Sequence, residues 1–496
     1  MDKLPIDFDK LSGVLAYDSA SPLLFNTGLF LLLFVAFIGI YRLLRGSRTV
    51  KMVFVILFSL YFYYKSSAGY CFILLGVCVS DYLLGTWMGR ARKRAVRKLI
   101  VWINVVINVG MLVYFKYFNL LIDTINNFST AKFDALDIIL PAGISFFTFR
   151  SISYIVDIYR GTIEPSRNFL DYCFFLTFFP PLLAGPVVRA KDMLPQIKEN
   201  PVATHAMVSE GLFLIIAGLI KKVIVADFIS GNFVDRIFDN PSLYSGFENM
   251  MGMYGFFIQL YCDFSGYSDI AIGLALLMGY RFKDNFMSPF KSQSPTEFWR
   301  RWHISLSTWL RDYVYIPMGG NRCSKTRAHF NQFSTMVIGG LWHGASWMYV
   351  IWGALQGFLL VGHKMLKGIT PALSAHKKGA WWRVAGNMFI TFNLIALTFV
   401  FFRMRSLDQA GEMAHQIIYD FHPAIAPQFI AGYFTIVLAL MLGYFMHFMP
   451  HRWTIAAREK WTSFPFWVQA IVLAIVILII IQVRQSDIVP FIYLQY

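Results

Sequence analysis

Charge is scarce in this sequence: Asp, Glu, Lys and Arg together make up 15% of 496 residues, against 57% hydrophobic. Many apolar runs approach the ~20 residues that cross a hydrocarbon core, which excludes a soluble domain with a large interior. The same unbroken runs exclude a β-barrel, whose strands alternate over ~10 residues. Cysteine is rare, with Cys71, Cys78, Cys173, Cys262 and Cys323 the full set. Four of these lie in or against apolar runs and none has metal-ligand spacing, so neither a disulfide framework nor a metal site is expected. No GxSxG elbow, HExxH pair, Walker loop or dinucleotide fingerprint occurs. Hydrolase, zinc-protease, kinase and dinucleotide-dependent readings lose their support with them. The opening MDKLPIDFDKLSG is acidic, unlike a signal peptide, so the first apolar run is expected to be a retained helix.

What is present fits a membrane body. Apolar runs at 23–44, 52–64, 70–87, 99–125, 138–159, 206–229, 251–280, 384–402, 429–449 and 464–483 carry most of the chain. They predict an all-α polytopic transmembrane protein of roughly 11 crossings, with re-entrant or interfacial helices around a central cavity. One membrane domain spanning 1–496 is expected, with no soluble domain, repeat or linker. The net charge of +16 would suggest nucleic acid in a soluble protein. Beside apolar helices, basic loops instead set orientation, so no nucleic-acid partner is expected. The strongest such loop, GRARKRAVRK at 89–98, is placed in the cytoplasm, as is the basic end of the first run. Both termini, including the final FIYLQY, then fall outside. The run ending FFPPLLAGP holds Pro180, Pro181 and Pro186 and predicts a half-helix or re-entrant piece, because proline removes backbone donors.

Polar residues inside such runs are costly and mark structure or function. The segment FFIQLYCDFSGYSDIAIGLALLMGY carries Gln259, Asp263, Ser265, Ser268 and Asp269. Two readings stand: the carboxylates hold helices together, or they line a cavity. The stretch 298–347 carries two histidines, His303 in FWRRWHISLSTWLRDY and His343 in GLWHGASW. The first mixes tryptophan with arginine and suits a helix lying in the interface. Residues 331–361 are too few for two full crossings and predict a shortened or re-entrant pair that leaves His343 part-way into the membrane. The glycines of GLWHGASW allow close backbone approach, and Trp342 and Trp347 can wall a narrow pocket. A neutral imidazole there can take a proton from a hydroxyl, which is what acyl transfer to an alcohol needs. The plainer alternative is a packed histidine satisfied by a backbone carbonyl.

Five motifs occur in order from 141 to 362: PAGISFFTFRSISYIVDIYRG, FFPPLLAGPVVR, FIQLYCDFSGYSDIAIGLALLMGY, FWRRWHISLSTWLRDYVYIPMGGNR and GLWHGASW. Together they resemble the membrane-bound O-acyltransferase family. The likeness is nearest to its bacterial branch, that of alginate O-acetyltransferase membrane subunits and the D-alanyl transfer proteins of teichoic acid. The resemblance implies that His343 is the catalytic histidine and His303 a second one. It further implies delivery of an acyl group, most simply acetyl, across the bacterial cytoplasmic (inner) membrane. The donor would be a cytoplasmic thioester, acyl coenzyme A such as acetyl-CoA or an acyl carrier protein, with no bound cofactor. The acceptor would be a hydroxyl of an exported polysaccharide or of a periplasmic relay protein. Asn321, Trp342, Asp263 and Ser265 are candidate cavity residues. Acyl transfer to teichoic acid or peptidoglycan, a membrane transporter, and a scaffold that only docks an acylating partner are the competing readings.

Overall fold

The computed structural model describes residues 8–19, 21–130, 132–369, 380–483 and 491. The first seven residues of the acidic N-terminal stretch, Lys377 and Lys378 of the basic segment, and FIYLQY apart from Phe491 lie outside the described residues. Among those described, all regular structure is helical. Such a body follows from its solvent, since in hydrocarbon each backbone N–H and C=O must be answered within its own helix.

Among the described residues, four stretches suffice by length and composition to cross a membrane: Gly28–Gly46, Arg48–Arg90, Arg94–Phe128 and Trp381–Arg403. The count rises to six if two bent pairs each form one span: Pro423–Gly432 with Phe434–Phe448, at 97°, and His451–Ser463 with Phe466–Gln482, at 118°. The Arg48–Arg90 stretch is 43 residues long, enough for two crossings, and its two helices join at Ala68, where φ is +49°. Only 22–39% of each straight span is buried, and the outward side chains include Leu32, Leu57, Phe72 and Trp102. That outward surface is apolar, as a lipid-facing surface must be. The later crossings are less regular than the apolar runs suggest: HRWTIAAREK lies in a helix, His451–Ser463, rather than a loop.

The residues group into two compact units, Met1–Val208 with Leu274–Phe282, and Ser209–Gly273 with Lys283–Tyr496. In the first, the proline-rich segment behaves as the sequence predicts. Its helix stops at Thr177, and the irregular backbone through FFPPLLAGP is buried throughout. The Phe179 ring is packed by Phe37, Phe58 and Phe62 at 5.2–5.8 Å between centroids. Asp81, fully buried, accepts from Asn104 Nδ2 and Ser151 Oγ at 2.8 Å and from Tyr172 Oη at 2.5 Å.

The second unit is fastened by two glycine-lined helix crossings. A Cβ on Gly218 would stand 2.6 Å from the Gly266 carbonyl oxygen, and one on Gly266 would stand 2.8 Å from that of Gly218. The helix Gly246–Leu277 therefore meets the helix His205–Leu219 backbone to backbone. The other crossing closes the hairpin of Lys325–His343 and Trp347–Ile369, helices linked by only Gly344, Ala345 and Ser346. A Cβ at Gly340 would lie 2.3 Å from the Tyr349 carbonyl oxygen, and one at Gly353 would lie 2.6 Å from that of Met336. Neither hairpin helix is among the four candidate spans, yet at 19 and 23 residues the two are longer than the shortened pair expected over 331–361, and His343 sits at their turn.

Backbone cannot step aside for a side chain, so Gly340→Val should destabilise the protein by about 3 kcal/mol. Gly362, in the same hairpin, has nothing within 4 Å of an added Cβ, and Gly362→Ala should be neutral or slightly stabilising. Thermal unfolding of the two purified variants in detergent checks this contrast.

Candidate functional site

The motif FWRRWHISLSTWLRDY is not one interfacial helix. It breaks into Pro295–Arg301 and Ile304–Leu310, and His303 stands at the break in the left-handed region, φ +43° and ψ +56°. That conformation costs a non-glycine residue on the order of 1 kcal/mol or more, and it persists where surroundings over-determine it. Here they do. Ile304 N–H donates to the Asn285 carbonyl at 2.9 Å, and Met287 N–H donates to the Arg301 carbonyl at 2.9 Å. The break turns the His303 side chain into the interior, where it is fully buried.

His343 is the last residue of its helix and is 3% exposed. Its ring lies edge-on to Trp352 at 5.0 Å and to Phe402 at 5.2 Å, and 5.0 Å from Trp342. Trp342 also reaches the other histidine, with 6.1 Å between the His303 and Trp342 ring centroids. Phe264, on Gly246–Leu277, completes the wall at 4.5 Å from His303. Two buried imidazoles thus flank one indole. The elements carrying them are tied by a polar chain through apolar surroundings: Trp299 Nε1 donates to Gln356 Oε1 at 3.1 Å, and Gln356 Nε2 donates to Thr398 Oγ1 at 2.7 Å. With no water to compete, such bonds are a main source of helix association.

Of the residues singled out from sequence, His303, Trp342 and His343 come together, while Trp347 and Asn321 are exposed. Trp347 is 55% exposed, and Trp352, five residues further along the same helix, takes the walling place instead. Asn321 lies in an exposed loop, where it accepts from the Tyr315 hydroxyl. The asparagine buried nearby is Asn331, whose Nδ2 donates to the Met318 carbonyl at 3.1 Å and so pins the PMGGN loop to the hairpin. Ser265 is buried on the long helix. Asp263 is engaged in an ion pair, its Oδ1 2.6 Å from Lys222 Nζ, and Lys222 also holds Asp227 at 2.7 Å. Lys221 pairs with Asp269 at 2.6 Å. These bonds favour the helix-fastening reading of the two carboxylates, since they straddle the Gly218–Gly266 crossing.

Two polar residues of the site were not read from sequence. Asn285, 1% exposed, bonds to His303, Ser305 and Ser268. His447, buried in an apolar span, accepts the Phe290 N–H on Nε2 at 3.1 Å and packs against the Phe290 ring at 4.4 Å. The signal for His447 was a lone imidazole in the run FMHFM. For Asn285 there was none, because it lies in a loop 18 residues before its partner.

Residues 164–405 match the model of the membrane-bound O-acyltransferase family. All six candidate residues fall within this range. The chain is 41% identical over 400 residues to a probable alginate O-acetylase of Pseudomonas aeruginosa, covering 79% of this chain and 74% of the relative. It is 34% identical over 432 residues to a peptidoglycan O-acetyltransferase of Helicobacter pylori, covering 81% and 80%. A teichoic acid D-alanyltransferase of Bacillus subtilis is 28% identical over 278 residues, 52% of this chain and 68% of that protein.

If Asp263 fastens helices, its loss should appear in stability. Removing one member of a buried ion pair costs roughly 3–5 kcal/mol, while replacing both members with apolar groups recovers much of it. Thermal unfolding should place Asp263→Leu well below the wild type, and Lys222→Met/Asp263→Leu less far below than the two single losses added together. Additive losses would contradict the pairing.

Proposed function

The chain belongs to the membrane-bound O-acyltransferase family and is a multi-pass membrane O-acyltransferase, and from that premise we propose that it moves an acetyl group from a cytoplasmic thioester, acetyl-CoA, to a hydroxyl of an exported polysaccharide. The observation that supports this centre is the pair of buried imidazoles on one indole, His303 and His343 on Trp342. In this reading His343 accepts the proton of the attacking hydroxyl. The hydroxyl oxygen bonds to the thioester carbonyl carbon, the C–S bond breaks, and the leaving thiolate takes up the proton that His343 holds. His303 orients the donor or shares the proton transfer. The aromatic walls keep water from intercepting the thioester, and a basic cytoplasmic face draws an anionic donor.

A 41% relationship to an alginate O-acetylase favours a polysaccharide acceptor, reached directly or through a periplasmic relay protein. The relationship to a peptidoglycan O-acetyltransferase, over a similar share of the chain, supports a second reading in which the acceptor is the cell-wall glycan. Both relatives are bacterial proteins, which supports a reading in which this membrane protein works in a bacterial inner membrane. Transfer of D-alanine from a carrier protein has weaker support, because that likeness covers 52% of this chain.

Inside-out vesicles given radiolabelled acetyl-CoA should label the outer-face saccharide, and His343→Ala should lower that labelling by about 10² to 10⁴, the range of a lost general base. The variant must be inserted at wild-type abundance. Equal labelling in both would return His343 to a packing role.

A further inference from the structure

His303 has a fixed neighbour whose orientation the hydrogen bonds settle. Asn285 Oδ1 receives the backbone N–H of Ser305 at 3.2 Å and the Ser305 hydroxyl at 2.8 Å. A backbone N–H only donates, so the atom it meets must be the amide oxygen and not the amide nitrogen. The nitrogen, Nδ2, faces the other way and donates to Ser268 Oγ at 3.1 Å. The same oxygen lies 3.2 Å from His303 Nδ1. Facing an acceptor, Nδ1 must carry the proton of the neutral ring. Nε2 is then left with a lone pair, and it is fully buried with no hydrogen-bond partner among the described residues. A buried acceptor left unanswered is costly, and it is answered when a donor group enters.

We propose that Asn285 is a positioning residue that locks His303 in the Nδ1-protonated tautomer, so that Nε2 presents its lone pair to a hydroxyl or thiol proton of the substrates. The amide is itself clamped. The backbone carbonyl of Asn285 accepts the Ile304 N–H, Ser268 accepts the side-chain Nδ2–H, and the following turn is held by His447 through the Phe290 N–H. The arrangement puts the left-handed backbone at His303 to use: the break between the two short helices lets one loop residue serve both the backbone and the ring. The logic is that of an orienting group behind a catalytic imidazole, whose loss scrambles the tautomer while the fold survives.

The inference rests on the reading of His303 as part of the reaction centre, and two readouts keep them apart. Full-length protein carrying [15N]histidine is placed in lipid nanodiscs, with His303 assigned by its loss in His303→Ala. The wild type should show protonated Nδ1 and bare Nε2. Asn285→Leu, which matches the shape without the acceptor, should show a mixture of tautomers, and its kcat for acetyl transfer should fall by about tenfold to 10⁴ with KM for acetyl-CoA unchanged. Asn285→Asp keeps the acceptor and should restore most of the rate. A carboxylate against Nδ1 raises the basicity of the ring, so the acidic limb of the pH–rate profile should move to higher pH. Should Asn285→Leu fail to insert, that shift in Asn285→Asp supports the inference and an unmoved profile opposes it. An unchanged tautomer and kcat in Asn285→Leu, beside an inactive His303→Ala, would overturn the inference and leave His303 in the centre. Full activity in His303→Ala would overturn the role of His303, and the spectra alone would then decide whether Asn285 sets its tautomer.

Discussion

In a body solvated by lipid, a polar group that water cannot reach must be answered by protein, and most features of this chain follow from that demand. Helix is the backbone's answer. Glycine crossings let helices approach until carbonyls touch, as at Gly340 and Gly353 or Gly218 and Gly266. Lysine answers aspartate across one of those crossings, and glutamine threads tryptophan to threonine in the other half of the same unit. What stays unanswered then stands out. Among the described residues Nε2 of His303 is such an atom, and in the proposed reading a substrate proton would answer it.

The helical class and the two histidines that the structure buries beside Trp342 could be read from the sequence because both are local. Apolar runs state their own helicity, and a histidine within GLWHGASW is conspicuous wherever it folds. The rest depends on helix phase and on contacts distant along the chain. Trp347 and Trp352 are equally plausible as pocket walls until the start of their helix is fixed, and one then faces outward while the other faces His343. Asn321 and Asn331 differ in the same way, the first exposed in a loop and the second buried against it. Asp263 looked like a cavity residue because its lysine lies 41 positions earlier, where the sequence suggests only snorkelling. Asn285 carried no signal at all, since an asparagine in a polar loop is unremarkable until the loop is seen to cross behind a histidine.

The separation of tasks within the second unit is physically sensible. Ion pairs and glycine contacts set the scaffold, and aromatic rings surround His303 and His343. The surroundings of His303 and His343 are almost wholly aromatic and uncharged, which in the proposed reading would keep water from a thioester. A charged centre would hold the anionic donor more tightly but would also hold water. An aromatic one relies on position, which explains why so many hydrogen bonds are spent on the break at His303.

In the proposed mechanism acyl transfer happens where Trp342 separates the two histidines. The most direct test is an electron cryo-microscopy structure of the full chain in lipid nanodiscs with a non-hydrolysable acetyl-CoA analogue. Acyl density is expected against Trp342, within hydrogen-bond reach of His303 Nε2 or of the His343 ring. Acyl density elsewhere, with the two imidazoles still enclosed by Phe264, Trp352 and Phe402, would contradict it.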